Sequence, residues 1–406
     1  LTERDLHRQW LTDQALTLLR FFRPIAAPDG WFADLDDDGN TLTPAAGGSE
    51  QELLLTVTRA VHSYAAGELL GVPGCAPVVD AGLEALLGRH RDREFGGYYT
   101  AVGRDGRVDP VKAAYGHAHV LLAASTALAA GHGNAQGLFD DVLAVIDAHF
   151  WDEQAGAARE SFDRDWANPE PYRGQNSNMH LCEALLAAAE VSRREDLAQR
   201  AGRIAQKLID GFARANDWLL PEHYSADWEP ELEYNSERLD DPFRPYGATV
   251  GHSLEWSRLV LGVAAATNDS DSWYLPAAEA LFGRAVRDGW DPDGGFYYTL
   301  GWDGRPANPD RYWWPVAEGI GASLYLARLT GKPLYERWYR CLWDYAAHYL
   351  IDGRRGGWYA ELDPLNHRKV HPWFGKPDIY HSLQATLLPL LPSASSLAGA
   401  VHRSLI

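Results

Sequence analysis

The sequence predicts an all-α protein: a closed double ring of twelve helices, an (α/α)6 barrel, with short β-hairpins in the connecting loops. Three observations carry this expectation. A hairpin signal recurs six times, at roughly 60–75-residue intervals along a chain of 406 residues, and self-similarity of that period marks a repeated structural unit. Between hairpins lie pairs of segments whose apolar residues fall at helical spacing. The first segment of most pairs is apolar on nearly every side, which demands burial, and the second is amphipathic.

The hairpin signals are glycine–aromatic clusters: Gly30-Trp31-Phe32, Gly96-Gly97-Tyr98-Tyr99, Gly294-Gly295-Phe296-Tyr297 and Gly356-Gly357-Trp358-Tyr359. Weaker versions lie at 157–162 and 218–224. Several precede acidic or glycine turns, as at 36–39, 104–106 and 302–304, and such clusters read as short hairpins. Helices are expected over 5–22, 49–70, 76–91, 109–131, 134–149, 174–193, 195–213, 245–266, 273–288, 310–329, 332–348 and 374–391. Ala113–Ala130 and Leu181–Val191 exemplify the buried member of a pair, and Arg194–Phe212 the amphipathic one. One helix of each pair is therefore inner and the other outer. No Pro/Ser/Gly-rich linker interrupts the pattern, so 1–406 reads as one catalytic domain.

The net charge of −19, with no basic cluster, argues against nucleic acid as a partner. It also disfavours docking on an anionic membrane. A small, weakly charged substrate fits better, handled by a monomer or homodimer. Cys75, Cys182 and Cys341 are odd in number and far apart, with no CxxC pair. That pattern suits a reducing, cytoplasmic setting. Residues 1–8 are polar and charged, unlike a signal peptide. The longest apolar stretch, about 118–130, is interrupted by His119, Ser125 and Thr126 and is too short to span a bilayer.

The inner helices share polar openings: Arg59-x-x-His62, His117-x-x-Val120, His180-x-x-Glu183, His252-x-x-Glu255, Pro315-x-x-Glu318 and His381-x-x-Gln384. Residues three apart share a helix face. If the inner helices run parallel, these groups meet at one end of the barrel. A single histidine near a helix start is usually structural, and His7, His90, His132 and His149 are assigned no function. Polar groups repeated at one height among Ala, Leu and Val are different, because burying them is costly unless they line a wet cavity. Tyr115, Trp256, Trp313, Trp314 and Tyr380 add aromatic faces that suit either a sugar ring or an ordinary core.

His180/Glu183 and His252/Glu255 have a spacing that can ligate metal in helical bundles, and the same spacing lets a carboxylate orient a histidine. There is no His-Glu-x-x-His and no cysteine ligand set. No G-x-S-x-G elbow, P-loop or dinucleotide fingerprint is present. No metal and no cofactor are expected.

Five motifs, in order, resemble the N-acylglucosamine 2-epimerase superfamily. They are Lys112-x-x-Tyr115-x-His117-Ala118, Asn176-x-Asn178-Met179-His180-x-x-Glu183-Ala184, Gly251-His252-x-x-Glu255-Trp256, Trp313-Trp314-Pro315-x-x-Glu318 and Gly375-Lys376-Pro377-Asp378-x-Tyr380-His381-x-x-Gln384-Ala385. The resemblance covers nearly the whole chain and implies an (α/α)6 barrel acting on sugars. Its last motif is similar to the aldose–ketose isomerase branch, which acts on D-mannose or sulfoquinovose. The chain departs from that branch at Leu54-Leu55, where an aromatic residue is expected near the pocket.

Aldose–ketose exchange moves a proton between C2 and C1 through a cis-enediol, and one base can serve both carbons. A 2-epimerase instead needs two bases flanking C2. Histidine titrates in the right range for either task. The resemblance implies His381 as the shuttling base and His252 as the group that opens the ring, oriented by Glu255. His180 and Glu318 would bind hydroxyls or support the pair. Arg59 would hold the oxygen on which negative charge develops. Tyr115, Asn176, Trp314, Asp378 and Arg244 would contact the sugar.

The expected reaction is D-mannose to D-fructose, with D-lyxose to D-xylulose as a companion. The alternatives are a sulfoquinovose isomerase, a 2-epimerase of glucose-type sugars or cellobiose, and a non-catalytic sugar-binding protein. An inverting glycoside hydrolase is another, for which Glu183, Glu255 and Glu318 are candidates; it needs carboxyl groups about 6.5–9.5 Å apart.

Overall fold

The computed structural model describes residues 4–46, 48–239, 241, 243–268, 273–369, 375–376 and 379–404. The helices among them are α1 (Asp5–Phe21), α2 (Leu54–Leu69), α3 (Ala76–Ala85), α4 (Ala114–Ala129), α5 (Ala135–Val145), α6 (Gln175–Ser192), α7 (Glu195–Ala205), α8 (Val250–Thr267), α9 (Tyr274–Asp288), α10 (Trp313–Thr330), α11 (Pro333–Tyr345), α12 (Tyr380–Leu387) and α13 (Leu397–Ser404). Helices α2, α4, α6, α8, α10 and α12 form the inner ring, with each neighbouring pair in contact and α12 meeting α2. The others, α13 excepted, pack outside, and α1 closes the outer ring against α12. This is the (α/α)6 barrel that the repeat predicts. Among the described residues no helix is long and apolar enough to cross a membrane.

Several inner helices start later than their periodicity suggests: α2 at Leu54, α4 at Ala114 and α8 at Val250. The preceding residues are drawn into extended pairing. Gln51–Leu53 pairs with Ala101–Gly103, Lys112–Ala113 with Ser161–Phe162, Tyr172–Gly174 with His223–Ser225, Ala248–Thr249 with Thr299–Leu300, and Arg311–Tyr312 with Glu361–Leu362. Each pre-helix strand thus pairs with the hairpin of the next repeat. Lys376, before α12, pairs with Leu35 of the first hairpin and closes the circle. This belt fixes the height at which every inner helix begins. Such pairing is tertiary, so helical periodicity does not reveal it.

Buried cations stay the belt. Lys112 is fully buried, 3.0 Å from Asp92 and over the Tyr99 ring. Lys376 repeats this 2.9 Å from Asp352 and over Tyr359. Both belong to motifs that suggested function, and both are structural. An unpaired charge at such a depth costs several kcal/mol.

Helix α13, absent from the twelve expected, packs against α2, α4 and α6. Glu190 of α6 accepts hydrogen bonds from Ser395, Ser396 and Arg403. A Cβ on Gly399 would lie 1.8 Å from the Glu190 carboxyl, so only glycine permits this approach. The segment covers the end of the barrel opposite the belt.

Beyond the C-terminus of α4, His132 bridges Glu68 of α2 and Asp80 of α3 at 2.7 and 2.8 Å. Partial burial opposes its charge, but the two carboxylates outweigh that and raise its pKa above the ordinary 6.5. A raised folded value stabilises below the unfolded pKa and is lost as pH rises through the folded one. His132→Ala should therefore lower Tm most at about pH 6 and least at about pH 9, as read by thermal denaturation at both.

Candidate active site

Because the belt aligns the helix starts, equal positions on the inner helices lie at equal depth. The N-caps are Leu53, Ala113, Gly174, Thr249, Tyr312 and Ile379. Two positions on lie Leu55, Tyr115, Asn176, Gly251, Trp314 and His381. Six positions on in the first five helices lie Arg59, His119, His180, Glu255 and Glu318, and nine positions on lie His62, Leu122, Glu183, Arg258 and Gly321. Steps of four and three keep these residues on one helix face.

A cavity of about 650 Å³, including its open mouth, lies over the upper two layers. Arg59, Tyr115, Asn176, His180, His252, Glu255, Trp314 and His381 line it, as the sequence suggested. Trp313, one of the aromatic faces the sequence suggested, also lines it, as do Phe243, Pro245, Tyr298 and Tyr312, which were not singled out. Gly251 makes room here: a Cβ on it would meet the Trp314 ring at 2.2 Å. Trp314 lies against both His252 and His381, with ring centroids 5.1 and 5.7 Å away.

Both histidines are held by buried carboxylates. His381 Nδ1 lies 2.8 Å from Glu318 Oε1. His252 Nδ1 lies 2.9 Å from Glu222 Oε2. The expected partner of His252 was Glu255; Glu222 takes that place instead, reaching across from the neighbouring hairpin. Glu222 also accepts from Gln175 Nε2 at 2.8 Å and from the Thr249 amide at 3.1 Å. Trp256 donates to Gln175 Oε1 and so fixes that amide. At His381 the carboxylate at Nδ1 favours the Nδ1–H tautomer and leaves Nε2 to the cavity. At His252 the Gln175 amide nitrogen also lies 2.7 Å from Nδ1, so that atom meets a donor as well as the Glu222 acceptor.

Glu222 was missed, yet a signal exists. The same hairpin position, one residue before the strand partner of the N-cap, carries Thr100, Glu160, Tyr298 and Ala360 in other repeats. Glu160 accepts from the Gly174 amide and from Ser177, just as Glu222 accepts from Thr249 and His252. A helix-capping carboxylate is reused to orient an imidazole.

His117 turns out to be structural. Its Nδ1 donates to the Ala113 carbonyl and its Nε2 accepts from the Tyr98 amide. Asn178 makes the same two contacts one repeat later, to Gly174 and Ala158. Burial pushes His117 down to about 3. The residue that faces the site is His119, whose ring lies 4.6 Å from His180 and 4.7 Å from Tyr115. Arg59 Nε approaches His119 Nε2 at 3.4 Å, and Arg59 Nη2 donates to the Tyr115 hydroxyl at 2.9 Å.

Beneath the cavity, burial pushes His180 down to about 4, so it is neutral. Its Nδ1 lies 3.5 Å from Glu183 and makes no hydrogen bond to the described residues. Neither carboxyl oxygen of Glu255 has a hydrogen-bond partner among them either. Burial, then the charges of Glu318 and Glu183, raise the Glu255 carboxyl well above its ordinary value. Two trios, His180/Glu183/Glu255 and Glu255/Glu318/His381, bring their ligand atoms within 4.8 Å, a spacing that a cation could use.

Two expected sugar contacts fall elsewhere. Arg244 does not line the cavity: Glu170 binds its guanidinium at 2.7 and 3.1 Å, and it lies over Tyr172. Glu318 lies one layer below, under His381. Asp378 lies outside the described residues.

Residues 30–385 match the family described as N-acylglucosamine 2-epimerase (GlcNAc 2-epimerase). The chain belongs to the N-acylglucosamine 2-epimerase family. Within it, the chain is 47% identical to a D-mannose isomerase of Thermobifida fusca, over 98% of each chain. A D-mannose isomerase of Pseudomonas cannabina pv. alisalensis is 42% identical, over 97% of this chain and 95% of that one. The fold also superposes on a D-mannose isomerase crystal structure with TM-score 0.88 and 30% identity, covering 94% of this chain and 97% of the other.

The Glu222–His252 contact generates a prediction. Glu222→Gln should leave Tm within a few degrees, while the His252 ring shifts toward the Nε2–H tautomer, with the Gln175 amide nitrogen left to donate to Nδ1. Imidazole ¹⁵N shifts report this; an unchanged ring would mean that Glu222 does not set it.

Proposed function

We propose that the protein interconverts D-mannose and D-fructose by proton transfer through a cis-enediol, with His381 as the base and without metal or cofactor. It is a sugar isomerase: relatives of that activity match it at 47% and 42% identity over nearly its whole length. The observation that carries the mechanism is the pair of cavity-lining imidazoles, each backed at Nδ1 by a buried carboxylate. That arrangement holds each ring in place at the cavity wall, where an imidazole can exchange a proton with a bound sugar.

His381 takes the C2 proton and returns it to C1 on the same face of the enediol. His252 takes the proton of the C1 hydroxyl and passes it to the ring oxygen as the C1–O5 bond breaks, then moves the O2 proton to O1 as the enediol becomes the ketose. Arg59, the one Lys or Arg among the described lining residues, stabilises the oxygen that becomes negative. Glu255, protonated, donates a hydrogen bond to a sugar oxygen. The Trp314 ring supplies an apolar face beside both imidazoles. The inner-helix N-termini add a favourable dipole for an enediolate.

The rival readings are less well supported. A sulfonate would need a cation besides Arg59, and the described lining offers no other Lys or Arg. Inverting hydrolysis needs carboxyl groups about 6.5–9.5 Å apart, whereas Glu255 and Glu318 bring oxygens within 4.8 Å. A 2-epimerase also uses two flanking imidazoles, and product analysis separates it from an isomerase.

Incubation with D-mannose in D₂O and excess EDTA should yield D-fructose labelled at C1, at the rate seen without chelator. D-Glucose labelled at C2 would make the protein an epimerase, and loss of rate with EDTA would bring a metal into the site. His381→Ala and His252→Ala should each lower turnover by about 10²–10⁴-fold; near-normal turnover would remove that residue from the mechanism.

A further inference from the structure

Arg258 lies three residues beyond Glu255 on α8 and is absent from the cavity lining. It is 5% exposed, and its Nη2 lies 3.1 Å from Glu318 Oε2 and 3.7 Å from Glu183 Oε1. Glu183 in turn accepts a hydrogen bond from the Tyr380 hydroxyl. Glu255 stands beside both carboxyl groups without a hydrogen-bond partner of its own among the described residues.

The charges around this cluster can be counted. Arg59 and His62 come from α2, His119 from α4, His180 and Glu183 from α6, Glu255 and Arg258 from α8, Glu318 and Tyr325 from α10, and Tyr380 and His381 from α12. Burial holds His62, His119 and His180 neutral. Two guanidinium groups, Arg258 and Arg59, therefore face three carboxyl groups. Only two of those carboxyls can ionise without stranding an unbalanced charge at depth.

We propose that Arg258 is a positioning residue for the proton transfer: docked on Glu318 and Glu183, it fixes both as carboxylates, leaves Glu255 as the protonated acid, and through Glu318 keeps His381 competent as the base. Electrostatics agree. Burial opposes ionisation of Glu318, yet the Arg258 charge, followed by His381, holds it below its ordinary value. Glu183 is likewise lowered against burial, with the Arg258 charge among the causes. The inference deepens the isomerase reading and rests on His381 being the base.

The test is the pH dependence of kcat for mannose isomerisation. Removing a positive charge makes every nearby proton harder to lose. Arg258→Met should therefore move the acid limb up by about one unit or more. At about pH 7, kcat should fall about tenfold while KM changes little. Arg258→Lys should keep the limb near its wild-type position. Glu183→Gln removes a competing negative charge and should move the limb down, which keeps the proposal testable if Arg258→Met fails to fold.

A second readout needs no turnover. Infrared difference spectra of glutamate-labelled protein should contain one protonated carboxyl band near neutrality, abolished by Glu255→Gln. Arg258→Met should add a second such band. An unmoved acid limb, a loss confined to KM, or no protonated band in the wild type would overturn the proposal. Wild-type protein that carries the band but leaves mannose unchanged would instead refute the isomerase reading and leave the charge assignment standing.

Discussion

The site depends on one constraint: an ionisable group inside a helical barrel must have a partner, or it loses its charge. Each group with a proposed chemical task meets this in its own way. His381 and His252 are partnered by Glu318 and Glu222. Glu318 is in turn partnered by Arg258. Among the described residues His180 has no hydrogen-bond partner at Nδ1 and burial keeps the ring neutral, and Glu255 has none and burial with its neighbours' charges raises its carboxyl well above the ordinary value. The result is a floor with neutral groups and bases side by side, which proton transfer between carbon and oxygen requires.

The repeat makes this possible at little structural cost. The strand before each inner helix pairs with the next hairpin, so six helices begin at one height. Once heights match, one substitution turns a structural position into a chemical one. Ser177 and His252 occupy the same place, each bound to a hairpin carboxylate that also caps its helix. Asn178 and His117 share another, and there the histidine stays a pin between helix and hairpin. What separates the two histidines is position relative to the belt rather than residue type.

Much of this was legible in the sequence. The recurring Gly–aromatic clusters gave the number of repeats, and apolar periodicity separated inner from outer helices. The residues that line the cavity mostly came from the inner-helix openings, including Arg59, Asn176, His252 and His381. Three features were hidden for physical reasons. Helix starts were placed early because strand pairing is non-local. His117 was preferred to His119 because spacing within one helix does not reveal which face meets the axis. Glu222 and Arg258 were missed because they act across elements, Glu222 from a hairpin and Arg258 from one turn below the cavity. Arg244 misled because its neighbours Phe243 and Pro245 line the mouth while its own charge is taken by Glu170.

The proposed chemistry stands or falls on whether a carboxylate-backed imidazole moves a proton, not a hydride, between C2 and C1. Conversion of [2-²H]mannose in ordinary water distinguishes the two. Proton transfer should give a primary isotope effect on kcat and fructose in which only part of the deuterium survives at C1, the rest having exchanged with solvent from the histidine. Complete retention of deuterium at C1, with no solvent hydrogen incorporated, would signify hydride transfer and contradict it.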